Sequence, residues 1–308
     1  MYKIGIDLGG TNIAVGLVDE DYKLKTKNSV PTNAKRSVEE VVDTICNAVD
    51  SLLLQTGVGL DMISSIGIGA PGTCDEDLGV VCVSYSLAWK NVPIVEMLKK
   101  RFNVGVKLNN DANCAALAEV KAGVAKNKKR VVLLTIGTGL GSGIVLDGKV
   151  YSGFKGNGTE FGQMLVDFDG VLCACGRRGC WDSYVSASGL VREAQAAMRE
   201  RHETKLHQYE HLTAKDVFEA YDCGDATAKA VLREYCHYLA VGVSNIVNIL
   251  GPEMVVFGGG VSARGDVFLP PIEKYIRENC FDKREEALPE LAIAMMGNDA
   301  GVIGAAAL

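Results

Sequence analysis

Asp7-Leu8-Gly9-Gly10-Thr11-Asn12 lies between two apolar runs, residues 3–8 and 13–19, and joins them without room for a helix. The pattern reads as strand, glycine turn, strand, with a third strand near 22–28. Glycines let backbone N–H groups approach an anion without a Cβ in the way, and Thr11 and Asn12 add side-chain donors. Asp7, at the strand end, is placed to hold Mg²⁺ directly or through water. Because a strand follows, the turn is neither a Walker loop nor a dinucleotide fingerprint. By itself it reads equally well as an ordinary hairpin turn.

The pattern returns. Thr135-Ile136-Gly137-Thr138-Gly139-Leu140 leads to Gly143-Ile144-Val145-Leu146-Asp147, as Asp7 to Asn12 leads to Gly16-Leu17-Val18-Asp19. The echo predicts two similar lobes, each offering one turn to a shared cleft, since a triphosphate bound there needs donors from both sides. A third segment, Gly258-Gly259-Gly260-Val261-Ser262, closes the apolar strand Met254 to Phe257. Bare backbone there lets a flat base or ribose lie against the chain; a tight strand-to-helix turn asks for the same glycines. Asn109-Asn110-Asp111 follows a strand at 104–108 and opens an alanine-rich helix over 112–124. A carboxylate there can take a proton from a hydroxyl, and phosphoryl transfer leaves a protein little else beyond positioning and charge stabilisation. An Asp at that place is also a common N-cap. In company with the glycine turns, Asp111 reads as a base.

Elsewhere, Val38, Val41, Val42, Ile45, Val49, Leu52 and Leu53 have helical spacing within 37–56, with Ser37 and Glu40 forming a capping box. Ser65 to Gly69 is a short strand, 93–102 a helix, and Val131 to Ile136 a strand before a glycine loop over Gly137 to Gly143. Residues 149–182 are loop-rich, 186–250 mostly helical, and 299–308 suit a packed terminal helix. The 308 residues favour two domains over one. A net charge of −6 gives no reason to expect nucleic-acid binding. The chain shows no signal peptide and no apolar run long enough to span a bilayer, so a cytoplasmic protein without a membrane partner is expected. Of its ten cysteines, seven are scattered and read as small buried hydrophobes; Cys173, Cys175 and Cys180 cluster as Cys-x-Cys-x₄-Cys.

These segments, with Gly156-Asn157-Gly158-Thr159-Glu160-Phe161-Gly162 and Cys173 to Cys180, resemble the ROK family (repressor, open reading frame, kinase), which includes bacterial glucokinases. The resemblance runs in order along essentially the whole chain. It implies an α/β, two-lobed actin/hexokinase-like (ribonuclease H-like) ATPase fold with the active site in the cleft between lobes. The small lobe would be 1–112, with helix 299–308 packing back on it; the large lobe would be 113–298 with the Cys-rich loop. It implies Mg·ATP as phosphoryl donor to a hydroxyl of a hexose or hexose-like cyclic polyol, Asp111 as general base helped by Asn110, and acceptor contacts from Glu160. Phosphate and nucleotide contacts would fall to Asp7, Gly9, Gly10, Thr11, Asn12, Thr138, Gly139, Gly258, Gly259 and Gly260, with Asp7 also on magnesium. A homo-oligomer, dimer or tetramer, is expected.

Four positions depart from the family pattern. Gln163 stands for a His that binds zinc and touches the sugar, and Asp182 for a sugar-contacting Glu. Ser86 stands for the Asn of an Asn-Leu-x-x-Trp segment, here Ser86-Leu87-Ala88-Trp89, and Thr159 for the glycine before Glu160. The kinase parts look whole and the acceptor-reading positions Ser86, Gln163 and Asp182 altered. Three thiolates suit zinc, which usually takes four N or S ligands, and Gln163 is a poor fourth; zinc on a substitute ligand and a metal-free thiol cluster both stay open. A sugar-sensing regulator would carry an N-terminal helix-turn-helix, and Asp7 already sits in the first strand. A non-phosphorylating ATPase would lack the Asn-Asp pair and the Cys-rich loop.

Overall fold

A computed structural model describes residues 1–308. In chain order the elements are β1 (Tyr2–Leu8), β2 (Asn12–Val18), β3 (Leu24–Pro31), α1 (Val38–Thr56), β4 (Ile63–Ala70), β5 (Thr73–Asp75), β6 (Val80–Ser84), β7 (Trp89–Val92), α2 (Ile94–Phe102), β8 (Gly105–Asn110) and α3 (Asp111–Lys121). There follow β9 (Val131–Ile136), β10 (Leu140–Leu146), β11 (Lys149–Val150), α4 (Asp182–Val185), α5 (Ala187–Glu200), α6 (Ala214–Asp222), α7 (Ala226–Leu250), β12 (Met254–Gly258), α8 (Gly265–Asn279), β13 (Glu290–Ile293) and α9 (Ala300–Ala307). The chain forms two compact units. Unit 1 comprises residues 1–133, 143–159 and 294–308; unit 2 comprises residues 134–142 and 160–293. The division runs through β9 and β10.

The internal echo is real at the level of topology. One sheet has the order β3-β2-β1-β4-β8 and the other β11-β10-β9-β12-β13, so each begins as a meander and continues through crossovers. In the first sheet β1 pairs antiparallel with β2 and parallel with β4, and β4 pairs parallel with β8. Alternation then sorts the two faces. Ile4, Ile6, Leu8, Ile13, Val15 and Leu17 are buried in one cluster with Val41, Ile45, Val49 and Leu52 of α1. Helix α1 begins as its sequence asks: Ser37 Oγ accepts from the Glu40 N–H, and Glu40 Oε2 accepts from the Ser37 N–H at 3.0 Å.

The opposite face has no side chain where α9 arrives. A Cβ on Gly5 would sit 1.9 Å from the Val302 carbonyl oxygen, and one on Gly67 only 1.7 Å from that of Ala305. Helix α3 meets α9 the same way, since a Cβ on Gly304 would sit 1.7 Å from the Cys114 carbonyl oxygen. Glu119, fully buried on α3, ties down the approach to α9: its Oε1 accepts from the Met295 and Met296 N–H groups at 2.9 and 2.8 Å. Its Oε2 accepts from Val124 N–H at 2.9 Å, and the helix expected to reach residue 124 ends at Lys121 in this turn.

Other expectations shift by a few residues. β10 begins at Leu140, so the glycine loop expected over 137–143 shrinks to Gly137–Gly139, and Gly141 and Gly143 are strand residues. β8 runs on to Asn110, because Gly69 and Ala70 of β4 pair with Asn109 and Asn110. The sheet β5-β6-β7 was not anticipated; its strands have three to five residues, too few to show a period. No helix is long and apolar enough to cross a membrane.

Replacing Gly67 by Ala should cost about 3 kcal/mol or more, because its Cβ meets backbone that cannot step aside. Gly105→Ala, with open space around the new methyl, should stay within about 0.5 kcal/mol. Urea unfolding midpoints of the two variants check the contrast.

Candidate active site

Unit 1 carries Asp7, the first glycine turn, Ser86, Asn110 and Asp111. The turn is held from behind by Thr32, which is fully buried; its N–H donates to the Thr11 carbonyl at 2.8 Å and its hydroxyl to the Gly9 carbonyl at 2.6 Å. Gly10 packs on Ser86, where an added Cβ would lie 3.1 Å from the serine Cβ. Thr11 and Asn12 are exposed.

At the end of β8 the capping role falls to Asn110, not Asp111. Asn110 Oδ1 accepts from the Ala112 and Asn113 N–H groups at 2.9 and 3.2 Å, and its Nδ2 donates to the Gly72 carbonyl at 3.1 Å. Asp111 is the first helical residue, and its Oδ1 accepts from Ala112 N–H at 2.9 Å. Behind both, the buried Asn109 bonds Glu76, Asn113 and Ser152. Burial raises the pKa of Asp111 against the pull of those backbone and Asn110 hydrogen bonds. Asp7 is pushed up to about 6, by burial first and by the Asp111 carboxylate second, with Lys27 opposing. The carboxylate of Asp7 lies where a Cβ on Gly301, in the first turn of α9, would come within 2.4 Å of it.

Unit 2 carries the other expected residues. In the second glycine turn Gly137 N–H donates to the Gly139 carbonyl at 2.9 Å, and the Gly137 carbonyl accepts from Ala187 N–H at 2.8 Å. Asp182, first residue of α4, reaches the same turn: its Oδ1 accepts from Leu140 N–H at 2.5 Å. That oxygen would lie 3.1 Å from a Cβ on Gly139. One carboxylate oxygen of Asp182 is therefore bonded to the turn. Thr159, in the family's glycine position, keeps a left-handed φ of 68°. A β-branched residue there is strained, and the strain falls just before Glu160. Glu160 is exposed and precedes the single turn Phe161–Gln163.

Cys173, Cys175 and Cys180 come together with all three Sγ atoms within 4.8 Å of one another, and no histidine belongs to the group. Cys175 Sγ lies 3.5 Å from Cys180 Sγ, and Gln163 Oε1 lies 4.0 Å from Cys173 Sγ. Zinc–sulfur bonds of about 2.3 Å in a tetrahedron suit thiolates at roughly this spacing.

A cavity of about 550 Å³ in unit 2 brings Gly137 and Thr138 together with Gly260 and Val261, and with Thr213, Phe218 and Arg264. Gly258 and Gly259 do not line it. Gly258 ends β12, and Gly259, at φ 84°, lets the chain pass where a Cβ would lie 2.4 Å from the Ile136 carbonyl oxygen.

The ROK family model matches residues 3–308. The chain belongs to the ROK family. It is 34% identical to a glucokinase of Halalkalibacterium halodurans, over 98% of this chain and 93% of that protein. Among solved structures it resembles a ROK family glucokinase from Streptomyces griseus, in complex with glucose and AMPPNP, with TM-score 0.79 and 32% identity over 100% and 98% of the two chains. It also resembles a ROK hexokinase from Thermus thermophilus, with TM-score 0.84 and 30% identity over 99% and 97%.

In this ROK chain the sequence reading missed Thr32, Glu119, Phe218 and Arg264. Thr213 had a visible signal, the Thr-x-x-Asp of a capping box, and that box forms at the start of α6. The others had none, because their roles depend on segments distant in sequence.

A raised carboxylate pKa favours the folded state only while the group is protonated. The contribution of Asp7 is full below its unfolded value of 3.8 and is lost as pH rises through about 6. Asp7→Asn should therefore stabilise the ligand-free protein at pH 8 by on the order of 1–3 kcal/mol, and by little at pH 4. Thermal melts of both proteins at the two pH values check this.

Proposed function

We propose that this ROK protein is an ATP-dependent carbohydrate kinase that phosphorylates a hydroxyl of a hexose or hexose-like cyclic polyol, with Asp111 as general base. One observation carries the reading: Asn110 takes over the cap of α3, leaving the largely buried Asp111 with a carboxylate of raised proton affinity. The glucokinase relatives support the same class of reaction.

In the proposed step Asp111 accepts the proton of the acceptor hydroxyl, whose oxygen attacks the γ-phosphorus of ATP. The bond from that phosphorus to the β–γ bridging oxygen breaks, and ADP leaves. Gly9, Gly10, Thr11 and Asn12 in one turn, and Thr138 and Gly139 in the other, offer donors to phosphate oxygens. The cavity beside Gly260 is assigned to the nucleotide base. Asp7 would hold Mg²⁺, which when bound neutralises phosphate charge. The cytoplasm, where ATP is at hand, is the compartment proposed for this step.

Ser86, Asn110, Glu160, Gln163 and Asp182 are the proposed acceptor contacts. The departures at Ser86, Gln163 and Asp182 matter because a site built for one set of hydroxyls rejects others by leaving buried polar groups unpaired. Asp182 is one methylene shorter than the family's Glu and has one oxygen bonded to Leu140 N–H. The acceptor preference is therefore proposed to have moved from glucose to another six-membered ring: an epimeric hexose, an amino sugar, or a carbocyclic polyol such as an inositol or its ketone.

A coupled ADP assay over such a panel tests both parts. Turnover with some ring is expected, with glucose not first; glucose leading by a wide margin would refute the acceptor claim and leave the kinase claim standing. With the best acceptor, Asp111→Asn should lower kcat by ~10²–10⁴-fold while ADP binds as before. Near-normal turnover would remove Asp111 as base.

Cys173, Cys175 and Cys180 are proposed to hold a structural zinc, with a water or other substitute as fourth ligand in place of the poorly suited Gln163. Elemental analysis of untagged protein should find about one zinc per chain. Active, metal-free protein would refute the assignment.

A further inference from the structure

Arg264 stands in the wall of the cavity assigned to the base, but its hydrogen bonds leave it little capacity to hold phosphate. A guanidinium has five N–H donors. Nε donates to Asp266 Oδ1 at 3.2 Å, and Nη1 to Asp222 Oδ2 at 3.0 Å. Nη2 donates to Asp222 Oδ1 at 2.9 Å and to Asp266 Oδ2 at 3.3 Å. One donor remains, and the two carboxylates outweigh the single positive charge. What the residue still offers is its plane. The guanidinium carbon lies 5.0 Å from the centre of the Phe218 ring, so one face is covered by an aromatic side chain that also lines the cavity. Phe218 is buried, and the Asp222 fork fixes the orientation of the group.

We infer that Arg264 determines donor recognition by stacking its free face on the nucleotide base, as a flat cation locked between Phe218, Asp222 and Asp266. This rests on the proposed use of a nucleotide donor. Stacking on a guanidinium reads the plane of a base and not the pattern of its edge. Purine nucleotides should then share the benefit, and a ligand made of phosphates alone should feel none of it.

Calorimetric titration of ADP, GDP and pyrophosphate into the wild type, Arg264→Ala and Arg264→Lys separates the contributions. Lysine keeps the charge and loses the plane. Both variants should lose roughly tenfold in ADP affinity and similarly in GDP affinity, a stacking contribution of ordinary size. Pyrophosphate affinity and the acceptor KM should stay within about twofold, a split that general damage to the fold would not produce. ADP affinity retained in Arg264→Ala, or rescued by Arg264→Lys, overturns the inference, as does an equal loss for pyrophosphate. A wild type that binds neither ADP nor pyrophosphate overturns the nucleotide-donor reading itself.

Discussion

Unit 1 depends on one close approach, that of the α9 backbone to β1 and β4. It is possible only because Gly5 and Gly67 present no side chain where the Val302 and Ala305 carbonyls lie. Gly304 lets α3 in from the other side. With these contacts made, Asp7 on β1 and Asp111 at the start of α3 come near enough to repel each other, which is part of why Asp7 holds its proton up to about pH 6. Glu119 fixes the arrangement by bonding the backbone that leads into α9. A buried carboxyl group whose oxygens accept from three N–H groups positions chain without leaving its polar atoms unpaired.

The proposed catalytic groups share a second feature: neighbours take over the structural work. Asn110 caps α3 in place of Asp111, and Thr32 braces the first glycine turn from a buried position. In unit 2, Phe218, Asp222 and Asp266 hold Arg264. Asp182 departs from this economy. Its Oδ1 is bonded to Leu140 N–H, so a residue proposed to contact the acceptor also ties the start of α4 to the glycine turn. Thr159 adds backbone strain one residue before Glu160. Asp182 is among the residues proposed to read the acceptor and Thr159 adjoins another, Glu160, while neither change falls on Asp7, Asn110 or Asp111.

Much of this was legible in the sequence because the signals are local. Strands β1, β2 and β9 show apolar alternation or runs beside glycine turns, and Ser37 and Glu40 announce the start of α1. The repeated turn predicted two similar lobes, and the two five-stranded sheets do share one strand order. The strands β5, β6 and β7 were hidden by their shortness. The loop at Gly137–Gly143 was read too long because glycine also fits strand positions where another chain passes closely. A Cβ on Gly143, for example, would lie 2.4 Å from the Ala112 carbonyl oxygen.

The sequence by itself determined the family, the longer elements beside the motifs, the two glycine turns, the Asn-Asp pair and the Cys-x-Cys-x₄-Cys cluster, since each is carried by residue types at short, fixed spacing. Only the tertiary structure decided what those residues are bonded to. It gave the cap to Asn110, one Asp182 oxygen to Leu140, the side chain of Gln163 to the neighbourhood of Cys173, and the cavity wall to Arg264 and Phe218. The physical reason is that hydrogen bonds and burial also join residues far apart in the chain, 42 positions for Leu140 and Asp182 and 177 for Glu119 and Met296, and a pKa or a free donor depends on that whole surrounding rather than on the local string of residues.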